Sequence, residues 1–231
     1  MKPLTVLAWD TATDRCAAAL IRWRDGDTEI LADYAGDSGL HSQVLPPRAA
    51  GMLAEHELTP GQVDLLVVGR GPGSFTGLRT GLALAKGLAL GSGRPILGLG
   101  TLEVLAAQIL AAEPDPEALA APVIDARHGE VFTALYGRKG QVKPPAPLPP
   151  SALPDALGLA AAGRPVLVDG PALPLVLDVL AGSALQAGSG GAGRVSAVVL
   201  AGLGAEIFRS EPEAGRRNPP LPLYIRPPDL R

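Results

Sequence analysis

Apolar runs of strand length alternate with stretches of helical spacing along this chain. LTVLAW (Leu4–Trp9), CAAALIRW (Cys16–Trp23) and TEILADYA (Thr28–Ala35) predict three antiparallel strands, with Asp25-Gly26-Asp27 turning between the last two. In HSQVLPPRAAGMLAEHEL, Leu45, Ala49, Met52 and Leu53 fall at helical spacing. Pro46 and Pro47 fit a helix only in its first turn or at a kink, so the helix is expected around Pro46–His56. VDLLVVG (Val63–Gly69) is apolar throughout, as a central strand is. A helix from Thr76 to Leu90, a strand at PILGL (Pro95–Leu99) and a helix at TLEVLAAQILAA (Thr101–Ala112) follow.

The pattern then starts again. APVIDARHGEVFTALYGR (Ala121–Arg138) reads as strand, turn, strand, like VLAWDTATDRCAAALIRW (Val6–Trp23). Asp10 corresponds to Asp125 and Leu20 to Leu135, both at an offset of 115 (125 − 10 = 135 − 20). An offset of half the chain is what a duplicated domain produces. Beyond it, Lys139–Pro165 is rich in proline and alanine and reads as loop with one short helix near Ala156–Ala161. PVLVD (Pro165–Asp169) predicts a strand and LPLVLDVLAG a helix. Gly188–Gly193 reads as a surface turn, Arg194–Ser210 as a long amphipathic helix, and the tail as extended.

Bulk properties narrow the function. The 231 residues suffice for one large or two small domains. Aromatic residues are 3%, so cores must be built from Ala, Leu and Val. The net charge is −3, without the basic footprint of a protein that grips nucleic acid by itself, so contact with RNA is expected only through a partner. A single cysteine, Cys16, excludes an internal disulfide and suits the cytoplasm. No run is long enough for a membrane span, and the short apolar start before Asp10 reads as a strand.

GRGPGSFTGLRTGLALAKGLALG (Gly69–Gly91) looks like a phosphate loop but fails both tests. No G-x-x-x-x-G-K-[ST] spacing is present, and G-x-G-x-x-G would need glycine at Ser74 or Thr76. What remains is a strand-to-helix turn shaped by Gly71 and Gly73, with Ser74 or Thr76 as helix cap. Within the helix, Gly77, Gly81 and Ala85 recur every four residues beside an apolar stripe of Phe75, Leu78, Leu82 and Ala85. Interior glycines cost up to about 1 kcal/mol each, so another backbone must come close. That backbone belongs either to this chain's core or to a second subunit.

Other candidates carry less. Asp10 and Thr11, after an apolar strand, form either an Asx turn or a vestigial phosphate loop able to orient Mg²⁺. His41, His56 and His128 show no metal-ligand pairing, so neither a metal nor a cofactor is expected. Ser74 lacks a nucleophile-elbow context, and Cys16 reads as core.

These elements resemble the TsaB family, also called YeaZ. The resemblance rests on DTATDRCAAAL, HSQVLPP, GRGPGSFTGLRTGLALAKGLA, PILGLGTLEVLA, IDARHGEVFTALY and PLYIR, in the family's order and across nearly the whole chain. It implies a two-lobed, duplicated α/β fold of the actin-like, Hsp70-like and sugar-kinase-like class. The lobes are placed at 1–103 and 104–231, with a C-terminal tail able to return to the first. It further implies a non-catalytic subunit that works with TsaD and TsaE in threonylcarbamoylation of the adenosine next to the anticodon of tRNA. TsaD would be the transferase and heterodimer partner, and TsaE, an ATPase, would join the pair. In isolation the same helices would form a homodimer, and tRNA contact would be indirect. The partner face would comprise Leu45, Ala49, Met52, Phe75, Gly77, Leu78, Gly81, Leu82 and Ala85. The competing reading is a small actin-like ATPase or kinase using Asp10 and second-lobe loops. A peptidase reading finds no nucleophile or metal set.

Overall fold

The repeated strand-turn-strand pattern becomes two sheets of the same topology. A computed structural model describes residues 2–37, 41–189, 191–211, 213–217 and 219–225. The first sheet comprises β1 (Leu4–Asp10), β2 (Arg15–Arg24), β3 (Asp27–Asp37), β4 (Leu65–Gly69) and β5 (Ile96–Leu99), in the order β3-β2-β1-β4-β5. The second comprises β6 (Leu119–Arg127), β7 (Glu130–Gly137), β8 (Gly140–Leu148), β9 (Val166–Asp169) and β10 (Gln186–Ala187), in the order β8-β7-β6-β9-β10. In each, a three-strand antiparallel meander is extended by two parallel strands. The chain is a duplicated α/β fold. The turns repeat as well: Asp10 Oδ1 accepts the Ala12 N–H at 2.7 Å, and Asp125 Oδ1 accepts the Arg127 N–H at 2.7 Å, each pair offset by 115 residues.

In the first unit, α1 (His41–Glu55) and α2 (Phe75–Ser92) pack side by side on one face of the sheet. Their core with the sheet is built on Leu7, Trp9, Leu20, Leu45, Leu78 and Leu82. The other face is covered by α6 (Ala197–Ser210), which lies against β1, β2 and β4. Gly204 allows that approach, since a Cβ there would reach within 2.5 Å of a Val67 methyl. The sequence expectation is a division at 103/104 with a C-terminal tail able to return to the first lobe. Ser196–Leu223 groups with the residues up to Thr101, and the second unit runs over Leu102–Val195 with the chain after Leu223. Short α7 (Ala214–Arg217) and the segment after it cover β5. A Cβ on Gly98 would meet the Pro219 carbonyl at 2.7 Å, and the Leu223 N–H donates to the Arg70 carbonyl at 2.7 Å. Arg226, which ends the PLYIR element, lies outside the described residues, as does Gly190 of the glycine-rich turn.

The second unit centres on Leu119, Val123, Val131, Leu135, Leu153 and Leu157. Here α4 (Leu153–Ala161) and α5 (Leu177–Leu180) pack on the sheet's core, and α3 (Thr101–Ala112) leads into the unit. The proline-rich segment expected as loop contains β8. Pro144, Pro145 and Pro147 are tolerated because β8 is an edge strand, where half the backbone donors need no partner. The helix expected across Leu173–Gly182 is broken into a 3₁₀ turn at Leu173–Leu175 and the single turn of α5. In the first unit, α1 begins at His41, five residues before Pro46, so both prolines sit in its second turn, on exposed positions.

Candidate functional site

Asp10 ends β1 with its side chain 1% exposed. Its Oδ1 is taken by the Ala12 N–H, and its Oδ2 accepts the Thr101 hydroxyl at 2.7 Å. A Cβ built on Gly69, at the end of β4, would overlap Oδ2. The glycine that opens the signature stretch thus makes room for this chain's own carboxylate. Burial pushes the Asp10 pKa up. The Thr101 and Ala12 hydrogen bonds and the nearby His41 oppose that shift.

The following residues are filled in the same way. The Thr11 hydroxyl donates to the Gly77 carbonyl at 2.8 Å, and the Ser74 N–H donates to the Ala12 carbonyl at 2.6 Å. Trp9 Nε1 donates to the Gly81 carbonyl at 3.0 Å. A Cβ on Gly73 would overlap the Ala12 carbonyl, one on Gly77 the Thr11 carbonyl, and one on Gly81 would press on the Thr11 hydroxyl. The first turn of α2 therefore packs directly against the turn that follows Asp10. The backbone brought close to the glycine helix is β1 and its turn.

This places the expected partner-face residues. Leu45, Ala49, Met52, Gly77, Leu78, Gly81, Leu82 and Ala85 are all buried within the first unit. Phe75 alone of that set is half-buried, with the Arg79 guanidinium 3.9 Å from its ring centroid. Ser74 is the cap, its Oγ accepting from the Gly77 N–H. Thr76 is exposed, and its carbonyl takes the Thr80 hydroxyl. Gly71 has φ +95° and shapes the turn, its carbonyl accepting the Thr101 N–H.

The outer faces of α1 and α2 hold what the sequence reading missed. On α2, Ala83, Gly87 and Leu90 recur at i, i+4 and i+7 and all are exposed, Leu90 to 89%. Nothing lies within 4 Å of a Cβ on Gly87. On α1, Pro46, Ala50 and Ala54 form a parallel exposed row. The signal was present: Gly87 falls out of step with Gly77 and Gly81 and so belongs to another side of the helix.

Ser74 and Cys16 are both committed to structural roles. Ser74 is engaged as a helix cap. Cys16 is buried, and burial together with the Asp10 charge pushes its thiol up to about 11, opposite to the shift of a reactive cysteine.

The family model described as TsaD, tRNA N6-adenosine threonylcarbamoyltransferase, matches residues 37–149. The tRNA threonylcarbamoyladenosine biosynthesis protein TsaB of Escherichia coli is 39% identical over 135 residues, 58% of this chain and 56% of that protein. The chain thus spans little more than half the length of that curated relative. An uncharacterized Mycobacterium tuberculosis protein is 32% identical over 228 residues, covering 98% of this chain and 94% of its own length. The solved structure of YeaZ from Pseudomonas aeruginosa superposes with a TM-score of 0.72 at 28% identity, over 96% of this chain and 99% of that one. The chain belongs to the TsaB (YeaZ) family. In this TsaB-family chain the signature glycines therefore have two uses. Gly69, Gly73, Gly77 and Gly81 make room for Asp10, Thr11 and Ala12 of this chain, and Gly87 leaves open space on an outward face.

Proposed function

We infer that this chain is a scaffold subunit in the making of threonylcarbamoyladenosine in tRNA, docking a TsaD-type transferase through the outward faces of α1 and α2. The observation that carries this reading is the division of α2. Its inward glycines are used up by Trp9, Thr11 and Ala12, while its outward side exposes Ala83, Gly87 and Leu90. A helix that gives up about 1 kcal/mol at an exposed glycine, with open space beside it, is shaped for the close approach of another helix. The neighbouring row Pro46, Ala50 and Ala54 on α1 widens the face to two helices, enough for a four-helix contact with a similar pair. The E. coli relative's role in threonylcarbamoyladenosine synthesis supplies the pathway, and TsaE joins as the ATPase of the assembly.

The ATPase or kinase reading loses its central residue. Asp10 has both carboxylate oxygens engaged and is 1% exposed, so it is not placed to orient Mg²⁺ or a phosphate. The test is co-purification with the TsaD-type protein of the same organism. Leu90→Arg and Gly87→Leu should abolish capture while leaving the circular dichroism spectrum of the chain unchanged and its melting temperature no lower than wild type. Capture at wild-type level by both variants would reject the face.

A further inference from the structure

The two edges of the first sheet are treated differently. The β5 edge is covered by α7 and by the segment that meets Gly98 and Arg70. The β3 edge pairs with β2 on one side and, among the described residues, with no strand on the other. β3 is eleven residues long, twice the usual strand, and its Ile30 is 55% exposed. A groove of about 390 Å³ runs beside it, between Ala32 and Tyr34 of β3 and Pro47, Arg48, Gly51 and Glu55 of α1.

Two properties define what this groove accepts. Gly51 is a second helix-interior glycine, and nothing lies within 4 Å of a Cβ built on it, so the groove stays open at a cost in helix propensity. The sequence of β3, DTEILADYAGD, holds four acidic residues and no basic one, and Glu55 adds another acid at the groove's rim. A second β3 would set acid against acid across the new ladder, which is unfavourable. An extended segment carrying Lys or Arg at alternate positions would gain charge pairing and the backbone groups of the edge other than the Leu31 carbonyl, which His56 Nε2 already meets at 2.9 Å.

We propose that the β3 edge and its groove receive an extended basic segment of a partner protein, added to the sheet as a sixth strand. This surface is separate from the outward face of α2, and the proposal does not depend on that face binding anything.

The probe is a fluorescein-labelled octapeptide of alternating valine and lysine, read by fluorescence anisotropy against the full chain. Saturable binding is expected, weakened at least tenfold when the peptide is fully N-methylated and can no longer donate to a strand edge. Gly51→Leu, which fills the groove at a half-buried helix position with open space beside it and favours the helix, should weaken binding at least tenfold. Glu55→Lys should weaken it in the same direction. An absence of binding, equal binding of the N-methylated peptide, or unchanged binding to Gly51→Leu would each overturn the proposal. So would sedimentation showing a wild-type dimer that Gly51→Leu dissociates, because the occupant would then be a second copy.

Discussion

The hydroxyl of Thr101 closes on Oδ2 of Asp10 at 2.7 Å across 91 residues of sequence. Together with the Ala12 N–H it engages both oxygens of a carboxylate that is 1% exposed. Removing the hydroxyl should therefore act on stability. Thr101→Val strands a buried acceptor, and the expected loss is about 1–3 kcal/mol, read from urea unfolding. Capture of the transferase by the folded fraction should be unchanged.

Asp10 also sets a pH dependence. Its pKa is raised in the folded protein, chiefly by burial. The stability linked to that shift is fully present below the unfolded value of 3.8 and is lost as the pH rises through the folded value. Asn has the same shape, and the Thr101 hydroxyl can rotate to accept from its amide. Compared by urea unfolding, Asp10→Asn should gain on wild type as the pH rises from 4 to 7. A difference that stays flat, or that runs the other way, would mean the carboxylate is better solvated than its geometry implies.

The glycines of α2 should respond oppositely to one substitution. Alanine at Gly77 gains helix propensity but drives a methyl into the Thr11 carbonyl, so Gly77→Ala should destabilise by about 1–3 kcal/mol. Gly87→Ala meets open space and should stabilise by up to about 1 kcal/mol. Thermal melts of the two variants check this, and a matching sign would undo the assignment of inner and outer faces.

Cys16 lies in the same core with its thiol pushed up to about 11. At pH 8 it should be silent towards a disulfide reagent in native protein. It should react once the chain is unfolded in urea, at the rate of unfolding when the reagent is in excess.

Much of this arrangement was legible in the sequence because it is local or periodic. The 115-residue offset between Asp10 and Asp125 foretold two sheets of one topology, and the Asx turns repeat it atom for atom. The failed phosphate-loop spacings correctly turned Gly71 and Gly73 into a turn. What could not be read was long-range. A helical glycine announces a close neighbour without saying whose backbone it is, so the sequence left Gly77 and Gly81 open between this chain's core and a second subunit, and Thr11 and Trp9 of this chain lie against them. Thr101 gave no hint that it would meet Asp10. Proline marked 139–165 as loop, but whether a strand lies at a sheet edge depends on the sheet, and β8 does. A C-terminal tail able to return to the first lobe was expected, but that α6 would do so through Gly204 meeting Val67 has no local signature.

The most direct test of the scaffold account is a reconstituted tRNA modification assay. Wild-type chain, Asp10→Asn and Leu90→Arg would each be supplied with the TsaD-type transferase, TsaE and threonylcarbamoyl-adenylate. The account predicts full modification with Asp10→Asn and loss with Leu90→Arg, in parallel with loss of transferase capture. Modification that fails with Asp10→Asn while capture is intact would contradict it, because a filled carboxylate would then be taking part in the chemistry.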